Sequence, residues 1–255
     1  MAQERSVVSA TRAGDGTAVS LGRLVGVGTG PGDPDLVTVR AADALAAADV
    51  VFVLVAGPDE TGTAERVVLH HVEAWRVEPL LLRGRGRPGQ GWDGATARIG
   101  DWFLRHPGGT AVLATFGDPG IGSHFGRLAE AVCRTVGPVE IDIVPGLCPM
   151  QDVPPLTARP LVGASGTPAV LPGAAAGQGG RRLAAALRDF DTVVATKAGP
   201  WWSEILAVIE RAGRLDGAVV RVAAGAVRPA REVPAHRCPY LATVVVPACE
   251  VGEPC

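Results

Sequence analysis

Apolar residues run along this chain in short β-branched blocks, and helical stretches with one Ala/Leu face separate them. Residues 24–27 (LVGV) read as a first strand that ends in a Gly/Pro turn. Residues 35–48 (DLVTVRAADALAAA) follow with helical spacing. The pattern then repeats. Strands are predicted at 49–55, 77–82, 109–115 and 139–144, and helices at 63–75, 92–106 and 124–136. This strand–helix alternation is the signature of a parallel α/β domain. Glycine-containing turns at 28–34, 117–122 and 145–149 lie at three strand ends. Open α/β sheets bind ligands at such carboxyl ends, so the three turns are expected to converge on one crevice.

After Pro149 the texture changes. Residues 152–180 are rich in Pro, Gly and Ala, with one short strand expected at 169–171. Pro154 and Pro155 are expected to break or delay any helix there. Helices are then predicted at 181–190 and 201–215, and strands at 191–199, 217–226 and 240–248. The expected organisation is a loose leader over 1–21, an N-terminal α/β domain over 22–147, a C-terminal α/β domain over 148–247 and a frayed tail over 248–255.

Composition narrows the function classes. The 255 residues carry a formal net charge of -2, with a pI near 6.2. That balance gives no bulk attraction to nucleic acid or to an anionic membrane. No apolar run reaches spanning length, and the N-terminus lacks the apolar core of a secretory signal. The five cysteines include no CxxC pair, and no metal-ligand spacing appears, so a reduced, cytoplasmic setting without a metal is expected. Lys197 is the only lysine, and the remaining basic residues are arginines. Arginine forks suit carboxylate or phosphate, although genome composition produces the same bias.

The first turn, VGVGTGPGDP at 25–34, invites a nucleotide-loop reading and fails it. Starting from Gly26 or Gly28, the third glycine of G-x-G-x-x-G would fall at Pro31 or Asp33. No Lys-Ser/Thr follows, which excludes a P-loop. Asp33 and Asp35 stand where a phosphate would sit at a helix start. An uncharged or cationic ligand suits the loop, and so does a purely structural turn. Gly117-Asp118-Pro119 repeats the arrangement at another strand end. There, Asp118 either contacts a ligand or caps its own turn.

Taken together, VGVGTGPGDPDLVTVRAADALAAADVVFV, ATFGDPGIGSHF and VEIDIVPGLCPM resemble the signature motifs of the tetrapyrrole (corrin/porphyrin) methylase family. The likeness continues through ARPLVG, PAVLPG, FDTVVATKAG and YLATVVV and spans residues 22–247. The order of motifs is most similar to the precorrin-2 C20-methyltransferase branch. The resemblance implies a tetrapyrrole methylase-like α/β fold of two domains with S-adenosylmethionine in the cleft between them. It implies a homodimer, with no nucleic-acid or membrane partner. Carried over residue by residue, the cofactor contacts fall on Pro31, Phe116, Gly117, Asp118, Ile121, Cys148, Pro149 and Thr196, with Ser123 close by. Departures from the family pattern stand at Gly122, His124, Cys148, Pro149 and Thr196.

The implied chemistry is methyl transfer from a sulfonium to an enamine-like carbon of the substrate, in cobalamin biosynthesis. It needs proximity and alignment rather than a nucleophile. No catalytic residue is assigned. Cys148 is read as structural or cofactor-lining, and Asp118 is the first candidate for handling a proton. A reduced tetrapyrrole carries many carboxylates, so Arg83, Arg85 and Arg87 in a Gly/Pro loop, together with Arg159, are substrate-anchor candidates. A solvated Gly/Arg turn is the other reading of that loop. His70 and His71 are expected on the surface or in helix packing, and Trp201 and Trp202 at a domain or subunit boundary. Two further readings remain open: a methylase of another precorrin, such as a precorrin-6A synthase, and a non-catalytic binding or scaffold member of the family.

Overall fold

The computed structural model describes residues 20–55, 57, 61–82, 92–223 and 226–248. The chain divides into two compact units, Met1–Leu147 and Cys148–Cys255.

In the first unit the order is β1 (Gly22–Gly28), α1 (Val39–Ala47), β2 (Val50–Val55), α2 (Thr63–His71) and β3 (Val77–Leu81). It continues with α3 (Asp93–Arg105), β4 (Gly109–Thr115), α4 (Phe125–Val136) and β5 (Glu140–Val144). The sheet order is β3-β2-β4-β1-β5, and every pairing is parallel. Because helices cover both faces, the central strands are apolar on both sides and read as continuous runs. Leu24, Phe52 and Leu113 point to the face that carries Ile99, Phe103, Phe125 and Leu128 of α3 and α4. Val25, Val51, Val53 and Val112 point to the other face, against Ala41, Leu45 and Val68 of α1 and α2. Each fully buried side chain of the size of Phe52 contributes about 1.5–3 kcal/mol of apolar burial.

The helix predicted over 35–48 is two elements. A 3-10 turn at Pro34–Leu36 is capped by Asp33, whose Oδ1 accepts from the Asp35 amide at 3.0 Å. The α-helix starts after Thr38, whose Oγ1 accepts from the Ala41 amide at 3.1 Å. His71 lies against the first turn, with its Nε2 at 3.2 Å from the Pro34 carbonyl.

The second unit contains α5 (Val153–Thr157), β6 (Pro168–Pro172), α6 (Gly173–Gly177), α7 (Arg181–Asp189) and β7 (Thr192–Thr196). Then come α8 (Trp202–Arg211), β8 (Val219–Ala223), β9 (Ala226–Pro229) and β10 (Thr243–Val246). The sheet order is β6-β7-β10-β8-β9, parallel only between β6 and β7. One face carries α7 and α8 through Val193, Ala195, Val220, Val244 and Val246. The other face presents Val194 and Val245 to Val153, with Met150 and Leu161 packed around them.

Two expectations change here. Pro154 and Pro155 do not prevent a helix, because proline falls in the first turn of α5, where no amide is needed. The helix is nonetheless only five residues long. Trp202 is not a boundary residue. It is 1% exposed inside the core of its own unit, and its Nε1–H donates to the Val233 carbonyl at 2.8 Å.

Arginine forks tie down helix ends in both units. Arg76 donates to the carbonyls of Leu45 and Ala46 at the end of α1, at 3.2 and 2.9 Å. Arg214 donates to those of Leu187 and Phe190 at the end of α7, at 2.8 and 3.1 Å. Cations belong at the carbonyl end of a helix.

Candidate functional site

The parallel sheet of the first unit places β4, β1 and β5 side by side. Their carboxyl ends therefore deliver the three glycine turns to one place. Gly30 and Gly117 form a two-way backbone bridge: the Gly117 amide donates to Gly30 O at 2.8 Å, and the Gly30 amide to Gly117 O at 3.3 Å. A Cβ on Gly28 would sit 2.6 Å from Gly117 O and 2.6 Å from Gly146 N. Only glycine permits backbones to approach this closely. Gly117 also has φ +78°, which favours glycine independently.

Asp118 joins the turns. Its Oδ1 accepts from the Gly120 amide at 2.7 Å, and its Oδ2 from the Gly146 amide at 2.9 Å. Both carboxylate oxygens are thus engaged with backbone, one in its own turn and one in the turn after β5. The carboxylate caps its own turn and ties it to the turn after β5. The Thr29 amide and hydroxyl both donate to Thr115 O, at 2.9 and 3.1 Å, and brace the start of the first turn. Sequence reasoning missed Thr29 and Thr115, since two threonines far apart in the chain carry no local pattern.

Among the predicted contacts of the first unit, Pro31 and Gly117 are buried, while Phe116, Asp118 and Ser123 are half-buried. Ile121 is 49% exposed, an apolar side chain held in the open beside the junction. Ser123 Oγ accepts from the amide of Phe125, the first residue of α4, at 2.9 Å. These residues come together around the three turns. Segments 28–34, 116–123 and 145–149 contain no lysine or arginine. Their chemistry is backbone amides and carbonyls, carboxylates and apolar surface. That set, with carboxylates and no cation, suits a ligand carrying a sulfonium and an amino group better than a polyphosphate.

In the second unit, Cys148 is buried at the head of a 3-10 turn, Pro149–Asp152, and its amide donates to Gln151 Oε1 at 2.7 Å. Pro149 opens that turn, half-buried. Thr196 ends β7, half-buried, opposite Thr243 of β10. Lys197 follows it with φ +55°, and desolvation holds its ammonium below the usual lysine range. Arg159 is exposed. Arg83, Arg85 and Arg87 lie outside the described residues. Sequence reasoning also missed a buried pair in this unit: Arg221 Nε donates to Asp152 Oδ2 at 2.8 Å.

Among the described residues, no group of three His, Cys, Asp or Glu side chains could hold a metal ion. No helix there is long and apolar enough to cross a membrane.

The profile of the tetrapyrrole (Corrin/Porphyrin) methylases matches residues 23–232. The chain is 32% identical over 247 residues to a precorrin-2 C(20)-methyltransferase of Sinorhizobium sp, covering 91% of this chain and 97% of that one. It is also 32% identical to the cobalamin biosynthesis protein CobIJ of Mycobacterium tuberculosis, covering 89% of this chain and 46% of that protein. Among solved structures, a uroporphyrin-III C-methyltransferase from Thermus thermophilus, complexed with S-adenosylhomocysteine, superposes with a TM-score of 0.57. It is 24% identical and covers 89% of this chain and 97% of that one. With its fold, its glycine junction and this profile match over most of its length, the chain belongs to the tetrapyrrole (corrin/porphyrin) methylase family and is an S-adenosylmethionine-dependent methyltransferase.

Proposed function

We propose that this enzyme methylates a reduced tetrapyrrole in cobalamin biosynthesis, and that its substrate is precorrin-2, methylated at C20. The observation that carries the cofactor site is the meeting of three strand-end turns at Gly28, Gly117 and Gly146, without a cation among them. The precorrin-2 assignment is supported by similarity across 97% of the Sinorhizobium methyltransferase. We assign Pro31, Phe116, Gly117, Asp118, Ile121 and Ser123 of the first unit as cofactor contacts, and Cys148, Pro149 and Thr196 of the second. Arg83, Arg85, Arg87 and Arg159 are the proposed anchors for the substrate carboxylates. The working form is a homodimer in the cytoplasm.

S-adenosylmethionine, when bound, supplies a methyl group already activated on a sulfonium. What remains for the chain is to orient and to exclude water. Backbone groups at the ends of β1, β4 and β5 are fixed by the Gly30–Gly117 bridge and by Asp118, so the site is pre-organised. Ile121 offers apolar surface against bulk solvent. With one backbone amide on each oxygen, Asp118 holds the turns in place.

The test is methyl transfer from S-adenosylmethionine to a panel of reduced tetrapyrroles under anaerobic conditions. Precorrin-2 should gain one methyl group, located at C20 by NMR, in preference to later precorrins. Preference for a later precorrin would replace the substrate assignment. Failure with every reduced tetrapyrrole, in a protein that binds the cofactor, would remove it.

A further inference from the structure

Among the described residues, Asp152 and Arg221 are the charged side chains that lie in the core, 8% and 3% exposed. Burying such a pair is expensive in desolvation, and two apolar side chains of similar volume would stabilise a fold as well or better. The location of the pair points to another role.

Strand pairing fixes which residues share a face. Val194, Val245 and Val219 lie on the face that packs under Val153 and Met150. Side chains alternate along a strand, so Thr196, Thr243 and Arg221 lie on that same face. They are also in direct register, with Thr243 opposite Thr196 on β7 and opposite Arg221 on β8. A polar row thus crosses β8, β10 and β7 and ends at Thr196. From the other end of the row, Arg221 reaches Asp152, the last residue of the Cys148-capped turn. That turn lies against β10. Gln151 in the same turn accepts from the Cys148 amide. The two segments of this unit assigned to the cofactor, Cys148–Pro149 and Thr196, are therefore linked to one sheet register through the Asp152–Arg221 ion pair.

We infer that Asp152 and Arg221 are positioning residues, which lock the Cys148–Asp152 turn onto the sheet at the level of Thr196 and so set the affinity for S-adenosylmethionine. The inference rests on the assignment of Cys148, Pro149 and Thr196 as cofactor contacts. The apolar packing of Val153 and Met150 holds the turn to the sheet without specifying its position along the strands. A directed bond from Arg221 Nε to a single carboxylate oxygen specifies it.

The experiment measures S-adenosylhomocysteine affinity by calorimetry and the unfolding midpoint in parallel, on the full chain. The double variant Asp152→Leu/Arg221→Met should unfold near the parent temperature, because the apolar pair replaces the ion pair. Its affinity should fall about tenfold or more, the scale of loss when supporting groups let a binding segment shift. Parental affinity in the folded double variant would reduce the pair to a structural one and overturn the inference. If the double variant does not fold, Arg221→Met decides the matter, since it removes the donor of the directed bond and leaves a carboxyl that can protonate. Weakened binding with the fold retained supports the positioning role, and unchanged binding overturns it. Thr196→Arg tests the underlying assignment separately. If Thr196→Arg abolishes binding while the pair variants bind as the parent does, only the positioning role fails. If all bind as the parent does, the second-unit cofactor contacts are wrong as well.

Discussion

Replacing Gly28 by alanine tests whether the three turns form one rigid junction. The added Cβ would lie 2.6 Å from Gly117 O, 2.6 Å from Gly146 N and 2.7 Å from Gly146 Cα, against ordinary contact at 3.4 Å and beyond. All three obstacles are backbone, so no side chain can rotate away. One turn must retreat by about 0.8 Å, and overpacking of this kind costs about 1–3 kcal/mol, here at the upper end because Asp118 and the Gly30–Gly117 bridge resist the movement. The unfolding midpoint should drop by about 6–12 °C, taking about 2–4 °C per kcal/mol for a chain of this size. S-adenosylhomocysteine affinity should fall with it, by at least about tenfold, because the backbone groups assigned to the ligand move. Gly126→Ala is the internal control. It lies within α4, where an added Cβ meets nothing within 4 Å. It should gain about 0.5–1 kcal/mol from lower chain entropy, without a change in affinity. A Gly28→Ala protein with parental melting and parental affinity would refute the close-junction account.

Three other outcomes follow from the same structure. Asp118→Ala leaves the Gly120 and Gly146 amides without their acceptor and should cost about 1–3 kcal/mol of stability, with weaker cofactor binding, measured by denaturant titration and calorimetry. Replacing Arg83, Arg85 and Arg87 together by Gln should raise the KM for the tetrapyrrole and flatten its salt dependence, with cofactor affinity almost unmoved; a KM with parental value and salt response would leave the loop a solvated turn. Burial pushes the Cys238 thiol up from 9.0 to about 11. The folded state therefore favours the protonated thiol, and its contribution is intact below pH 9 and lost as pH rises toward 11. Cys238→Ala should flatten the fall of the unfolding midpoint over that range.

Much of the first unit was legible because parallel strands buried on both faces must be continuous apolar runs. VVFVLV and TAVLAT could be little else. The junction of the three turns was legible for a related reason: each follows a strand, and a parallel sheet brings strand ends to one edge. The second unit was harder. β9 is only AVRP, four residues ending in proline, and it falls below any periodicity test. α6, GAAAG, has a loop composition and is helical through packing; a Cβ at Gly177 would collide with Trp201. The prolines after Gln151 read as breakers although they open a helix, because first-turn amides need no partner. The Asp152–Arg221 pair was invisible for a different reason. Its members are 69 residues apart, and only the register of β8, β10 and β7 brings them level with Thr196.

The central claim is that the glycine turns after β1, β4 and β5 hold S-adenosylmethionine and reject phosphate-bearing nucleotides. The most direct measurement is a calorimetric titration of the purified chain with S-adenosylhomocysteine, repeated in the presence of NAD. The account predicts saturable binding of S-adenosylhomocysteine that NAD leaves unchanged. Competition by NAD, or saturable NAD binding of similar strength, would contradict it.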